Sequence, residues 1–210
     1  MRYVDPTGRI ILDADSSLYQ QNSSDNLNNT DDSIYDYGCT LTSYARIAIA
    51  LGANITLDEA NQIAMDNDLF SNPNLLSVSN GVELVNKILE NQGITDVNVS
   101  LETSFDEPGN ITGAVQVYDT YNSKSAEFFV NARIETTNSD YTKTFGHSVN
   151  IPSNATFGDA CWGINKNMRI NDTSWVKRDQ ILGDSAGRVN NILRLDIIRV
   201  NRVNGADCNE

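Results

Sequence analysis

Two residues of this sequence could together carry out nucleophilic chemistry, Cys39 and His147. Cys39 follows Gly38 where a helical pattern begins, and the start of a helix carries partial positive charge that stabilises a thiolate. Backbone N–H groups at a helix start can also stabilise an oxyanion during acyl transfer. His147 is the one histidine in 210 residues, so any mechanism that needs an imidazole must use it. A cysteine and a histidine on separate elements that meet only in the folded chain are what thiol enzymes require.

Composition and charge argue against several other classes of function. The chain has 15 basic and 28 acidic residues, a net charge of −13. We therefore expect neither nucleic acid nor an anionic membrane surface as a partner, because both are bound by clustered Lys and Arg. No apolar run approaches the roughly 18 residues of a membrane span, so we expect no membrane insertion. A single histidine rules out a multi-histidine metal site, and we expect no metal and no cofactor.

The three cysteines are Cys39, Cys161 and Cys208. They are too few for a disulfide framework, and their spacing fits no zinc motif. At least one thiol stays free unless it pairs between chains. A bridge between Cys161 and Cys208 and two unrelated thiols both remain open.

The elements that must position Cys39 follow from the spacing of apolar residues. After Cys39 the apolar residues recur at helical spacing and predict a central helix that ends near Gly52, at Leu41, Tyr44, Ala45, Ala48 and Leu51. The sequence Thr56-Leu57-Asp58-Glu59 is a capping box that opens a second helix, to about residue 67. A third helix is predicted from about residue 80 to residue 91.

The second half of the chain has β-branched runs and strand-like alternation. The predicted strands are 97–101, 114–118, 128–134, 148–151, 168–171 and 192–203. Helices followed by a mostly antiparallel sheet indicate an α+β fold. Ahead of the helices, residues 15–36 are rich in Ser, Asn and Asp and predict a long polar loop.

The segments around Cys39 and His147 resemble papain-like peptidases of the bacteriocin-leader-processing group. Tyr37-Gly38-Cys39-Thr40-Leu41-Thr42-Ser43 is similar to their nucleophile segment, and Gly146-His147-Ser148-Val149-Asn150-Ile151 is similar to their histidine strand. The resemblance spans residues 18–182, is specific at Cys39 and His147, and is loose elsewhere. It implies a papain-like α+β fold in which the nucleophile lies on a central helix packed on the sheet.

The same resemblance implies two further site residues. Asp172 stands where the group has the Asp that orients the histidine, although Thr173 replaces the usual Pro. Gln20 and Gln21 are both candidates for the side-chain amide that binds the oxyanion, and Gln21 is preferred. In this mechanism His147 takes the proton of Cys39, the thiolate attacks an amide carbonyl, and Gln21 with the Cys39 N–H holds the oxyanion.

A second resemblance lies at the N-terminus. Met1-Arg2-Tyr3-Val4-Asp5-Pro6-Thr7-Gly8-Arg9 resembles the end of the Rhs/YD-repeat core domain, after which a variable C-terminal toxin begins. It implies that residues 1–13 are this junction and residues 14–210 the enzyme domain. The whole would be secreted or held at the cell surface as part of a larger exported protein, delivered into target cells, and matched by a cognate immunity protein. The first residues do not form a signal peptide, as expected for such a piece.

We therefore expect a papain-like thiol hydrolase or acyltransferase toxin that acts on an amide bond of a protein or peptide. Peptide cleavage, side-chain deamidation and transglutamination share this chemistry, and the sequence does not choose among them. Two alternatives stay open. One is a papain-like binding module that has lost catalysis, for which Thr173 and the unsettled glutamine leave room. The other is a peptidoglycan peptidase.

Overall fold

The computed structural model describes residues 26–72, 74–122, 128–137, 144–151 and 189–202. These residues form five α-helices, counting one of a single turn: Ile34–Tyr37 (α1), Cys39–Ala50 (α2), Leu57–Asp66 (α3), Val78–Asn91 (α4) and Ile111–Asn122 (α5). They also form six strands: Phe70–Asn72 (β1), Leu75–Leu76 (β2), Val97–Phe105 (β3), Phe128–Thr137 (β4), Thr144–Ile151 (β5) and Val189–Arg202 (β6). The predicted α+β class is confirmed.

The described strands make two antiparallel sheets. β1 and β2 form a short two-stranded pair, and the larger sheet has the order β3-β6-β4-β5. β6 therefore lies inside the sheet between β3 and β4, whereas β5 lies at one edge of its described part. The predicted antiparallel arrangement is confirmed.

Both faces of the larger sheet are covered by helices. On one face, helices α2, α3 and α4 share a core with a set of apolar strand residues, namely Val97, Val99, Phe129, Ile198 and Val200. On the other face, Ala114 and Tyr118 of α5 pack on a second set, namely Phe128, Val130, Ala132, Ile134, Ile192, Leu195 and Ile197. Neighbouring residues of β4 belong to different sets because side chains alternate across a strand.

The helix α2 is the centre of the first layer, as predicted. Every residue from Thr40 to Ala48 is buried, so the helix has no solvent-facing side over these two and a half turns. α4 crosses it closely at Gly81, where a Cβ atom would lie 2.1 Å from Cε2 of Tyr44. The helix ends at Ala50 with Leu51 as its C-cap, and Gly52 follows with a φ of 107° and so serves as the predicted stop.

The predicted capping box at the start of α3 is also confirmed. The Glu59 N–H donates to Thr56 Oγ1 at 3.2 Å, and the Thr56 N–H donates to Glu59 Oε2 at 2.8 Å. α3 ends at Asp66, close to the predicted limit. α4 begins at Val78, two residues before the predicted start, because Ser77 caps it by accepting from the Asn80 N–H.

Residues 114–118 were predicted as a strand, and that prediction is wrong, since they lie within α5. The β-branched Val115 and Val117 suggested strand alternation. In the structure, however, Ala114 and Tyr118 are buried four residues apart on one helical face. Asn110 opens the helix, because its Oδ1 accepts from the Gly113 N–H at 3.0 Å. Burial of one helical face against the sheet outweighs the weak strand preference of the two valines.

Residues 26–36, the described part of the predicted loop at residues 15–36, contain regular structure that was not predicted. A 3-10 turn spans Leu27–Asn29 and α1 begins at Ile34, and both Leu27 and Ile34 are fully buried. Asn61 of α3 fixes the turn by donating to the Asn26 carbonyl at 3.0 Å and accepting from the Asn28 N–H at 3.1 Å. The chain that leads into Cys39 is thus anchored to α3.

The remaining predictions on local structure, for residues 1–13, 15–25 and 168–171, lie outside the described residues. Within the described ranges, no helix is long and apolar enough to cross a membrane.

Candidate active site

Cys39 is the first residue of α2, and its position is set by the junction with α1. Gly38 alone separates the two helices: its N–H donates to the Ile34 carbonyl at 2.8 Å, and its own carbonyl accepts from the Thr42 N–H at 2.8 Å. A Cβ atom on Gly38 would lie 2.6 Å from the Ile34 carbonyl oxygen, closer than any side chain allows. A glycine is therefore needed for α1 to lead directly into α2. Cys39 is a free cysteine, and the residue as a whole is half-buried.

His147 lies on β5, opposite Ile134 of β4 in the antiparallel register. Its side chain is buried and hydrogen-bonds the thiol of Cys39. The strand and the helix meet here because α2 packs against β5. The structure thus brings together the two residues that the sequence singled out.

The pKa of the Cys39 thiol is set by burial and by three neighbouring groups of the protein. Burial alone would raise the pKa of the Cys39 thiol. The hydrogen bond and positive charge of His147, the backbone N–H of Ser148 and the Thr40 hydroxyl outweigh it, and the pKa lies below its ordinary value. The Thr40 hydroxyl is 4.0 Å from the sulfur. All three stabilise the thiolate, which is the nucleophilic form of cysteine.

The other predicted site residues lie outside the described part of the chain. Asp172, the expected partner of His147, and Gln21, with its alternative Gln20, are among them. Cys161 and Cys208 are outside it as well, so their pairing stays open. The pair of Cys39 and His147 is the part of the predicted site that has a described geometry.

Three residues that were not predicted as site residues contribute to the site or its support, namely Thr40, Ser148 and Asn150. Asn150 is fully buried, and its Nδ2 donates to the Ser43 carbonyl of α2 at 3.2 Å. The sequence carries no clear signal for this role, because a polar residue between Val149 and Ile151 fits an ordinary alternating strand with one polar face.

Among the described residues, no group of three or more His, Cys, Asp or Glu side chains could hold a metal ion. What the arrangement offers is a thiol poised toward its ionised form, next to an imidazole that can exchange a proton with it. Such a pair can add to a carbonyl carbon and later protonate a leaving group.

Comparison of the chain with protein-family models, with curated proteins and with solved structures found no match.

Proposed function

We propose that the chain is a papain-like thiol enzyme that transfers acyl groups from amide bonds of a protein or peptide, with Cys39 as nucleophile and His147 as its base. The observation that carries this proposal is the contact between the Cys39 thiol and the His147 imidazole. The place of Cys39 at the start of α2 supports it, because the residue is not fully buried and a nucleophile must be both activated and reachable by substrate.

The reaction would begin with transfer of the Cys39 proton to His147. The sulfur then attacks the carbonyl carbon, and the C–N bond breaks as His147 returns its proton to the leaving amine. The resulting thioester is attacked by water, or by an acceptor amine, which gives up a proton to His147 and releases Cys39. Peptide cleavage, deamidation and transglutamination differ only in the amide attacked and the final acceptor.

Two other roles in this mechanism are proposed from the family resemblance alone. Gln21 and the Cys39 N–H would bind the oxyanion of the tetrahedral intermediate, and Asp172 would hold the imidazole of His147 in the productive tautomer. Each would be tested in the acylation assay below, since Gln21→Ala and Asp172→Ala should slow acylation while leaving the fold intact.

Acylation of the chain by p-nitrophenyl acetate tests the proposal without knowledge of the natural substrate. We expect release of p-nitrophenolate and an acetyl group on Cys39, located by peptide mass spectrometry. In His147→Ala the rate should fall by about 10²- to 10⁴-fold, the usual contribution of a general base. An acetyl group that spreads equally over the three cysteines, or a rate unchanged in His147→Ala, would overturn the proposal.

The biological setting is proposed from the resemblance of residues 1–9 to an Rhs/YD-repeat junction. The enzyme would be the toxic tip of a larger exported protein, delivered into target cells and neutralised in the producer by an immunity protein. Expression of the chain inside bacterial cells should then arrest growth, whereas Cys39→Ala should not. Equal growth of cells that express the two proteins to the same level would count against this setting.

A further inference from the structure

A row of polar side chains crosses the whole four-stranded sheet beneath α2. In the strand register Asn150 of β5 is opposite Asn131 of β4, Asn131 is opposite Asp196 of β6, and Asp196 is opposite Ser104 of β3. We call these four residues the polar row. Asn150, Asn131 and Asp196 are 0%, 3% and 3% exposed, so most of the row is inside the protein.

The far end of the polar row is closed by hydrogen bonds. The Ser104 hydroxyl donates to Asp196 Oδ1 at 2.7 Å, and Arg194 Nε donates to the same oxygen at 2.6 Å. These bonds offset part of the cost of burying a carboxylate. The side chains of the polar row on β3 and β6 are thus fixed by these hydrogen bonds.

The near end of the polar row reaches α2. Asn150 Nδ2 donates to the Ser43 carbonyl, a backbone group of the helix that Cys39 begins. Within the described residues, Oδ1 of Asn131, Oδ1 of Asn150 and Oγ of Ser43 have no hydrogen-bond partner. A buried polar group costs free energy unless it is paired, so an apolar side chain would serve packing better at residue 150. The presence of an amide there calls for a role that packing does not supply.

We propose that Asn150 is a positioning residue that sets the distance between Cys39 and His147, on the premise of the proposed function. Ser43 lies four residues after Cys39, about 6 Å along the helix at 1.5 Å per residue. Asn150 lies three residues after His147, about 10 Å along the strand at 3.3 Å per residue. The Asn150–Ser43 bond and the His147–Cys39 contact therefore join the same helix to the same strand at two levels.

Two contacts between α2 and β5 restrict the position of the helix relative to the strand more than a single contact would. His147 and Asn150 lie three residues apart on β5, and both reach α2. Contacts at two points along one strand limit rotation and sliding of the helix against it. Since a misplacement of about 1 Å at a reacting pair can cost about 10²-fold in rate, the loss of this tie should be felt at the thiol.

The test measures the alkylation rate of Cys39 by iodoacetamide against pH, in the full chain and in Asn150→Leu. Leucine has a similar size but no donor, so it removes the bond to Ser43 without opening a cavity. We expect the apparent pKa of Cys39 to rise toward the value of about 8.5 of a free thiol, and the rate at pH 6.5 to fall about tenfold or more. An unchanged profile would overturn the proposal.

A matched control separates positioning from general stability. Asn86 of α4 also ties a helix to a strand, since its amide bonds both the N–H and the carbonyl of Val99, at 2.8 and 2.9 Å. Asn86→Leu should lower the urea midpoint of unfolding but leave the alkylation profile of Cys39 as in the wild type. An equal change of that profile in Asn86→Leu would also overturn the proposal.

A second variant serves if Asn150→Leu fails to fold. Asn150→Thr retains a hydrogen-bond donor, but the threonine side chain is too short to bring that donor to the Ser43 carbonyl. This variant should therefore raise the apparent pKa of Cys39 as well. A wild-type profile in a folded Asn150→Thr would overturn the proposal. In the His147→Ala background, the variant at residue 150 should have no further effect, because it acts through His147.

These outcomes also distinguish the two proposals. If His147→Ala leaves the reactivity of Cys39 unchanged, the proposed function fails. If His147→Ala changes it but the variants at residue 150 do not, only the role of Asn150 fails.

Discussion

The side chain of His147, on the strand β5, hydrogen-bonds the thiol of Cys39 at the first residue of the central helix. This contact joins two elements that lie far apart in the chain, and it lowers the pKa of a thiol that burial alone would raise. The position of Cys39 depends in turn on how tightly α1 leads into α2. The site should therefore be sensitive to changes that do not touch either residue.

The first prediction concerns Gly38. A methyl group at this position would lie 2.6 Å from the Ile34 carbonyl oxygen, a backbone atom that cannot turn away. We expect Gly38→Ala to lower the free energy of unfolding by about 1–3 kcal/mol, the usual cost of overpacking, and to slow acylation of Cys39. Urea unfolding and the acylation rate measure the two effects.

If the clash at Gly38 had only a local effect, it would lower the free energy of unfolding without changing the reactivity of Cys39. If Gly38→Ala lost stability yet acylated Cys39 at the wild-type rate, the junction of α1 and α2 would not be what positions the thiol.

The second prediction concerns Gly81 and Tyr44, where α4 crosses α2. A Cβ atom on Gly81 would overlap the Tyr44 ring, which is 1% exposed and has no room to move. Gly81→Ala should therefore lower the free energy of unfolding by about 1–3 kcal/mol. In a Tyr44→Ala background the ring is absent, and the same change should stabilise by up to about 1 kcal/mol, because alanine is the better helix former.

The change of sign is the informative outcome, and a double-mutant cycle measured by urea unfolding gives it directly. Equal destabilisation by Gly81→Ala in both backgrounds would show that the ring is not what the glycine accommodates.

The third prediction concerns the buried Asp196. Burial raises its pKa, and the hydrogen bonds from Ser104 and Arg194 together with the charge of Arg194 only partly offset this. A carboxyl whose pKa is higher in the folded protein than in the unfolded chain favours folding most when it is protonated. Its contribution is complete below the unfolded pKa of about 3.9 and is lost as the pH rises through the folded value.

Asp196→Asn cannot titrate, so it provides the reference. The free energy of unfolding of the wild type, relative to Asp196→Asn, should rise as the pH falls through the folded pKa of Asp196 toward about 4. Unfolding by urea at a series of pH values measures this difference. A relative stability that falls over the same interval would mean that Arg194 dominates and that the pKa of Asp196 is lowered instead.

Much of the fold could be predicted because local signals agreed with tertiary packing. The helix after Cys39, its stop at Gly52 and the capping box at Thr56 are each marked by residue types with a direct structural effect. α5 could not be predicted in this way. Val115 and Val117 favour a strand locally, and the burial of Ala114 and Tyr118 against β4 and β6, together with the cap at Asn110, makes the segment a helix.

Some residues of the candidate site could likewise be predicted from the sequence, and others could not. Cys39 and His147 were predictable, because a cysteine at a helix start and a single histidine are visible in the sequence. The contribution of Ser148 comes from its backbone N–H, which any residue type could supply. The polar row depends on strand register, which places Asn150, Asn131 and Asp196 side by side, and spacing along the chain does not specify that register.

The most direct test of the central claim is the alkylation rate of each cysteine against pH, mapped by mass spectrometry in the wild type and in His147→Ala. We expect Cys39 to react with an apparent pKa well below the value of about 8.5 of a free thiol, and His147→Ala to restore an ordinary value. If Cys39 is inert, or reacts like Cys161 and Cys208 in both proteins, the enzyme proposal is contradicted and a catalytically inactive binding module becomes the better account.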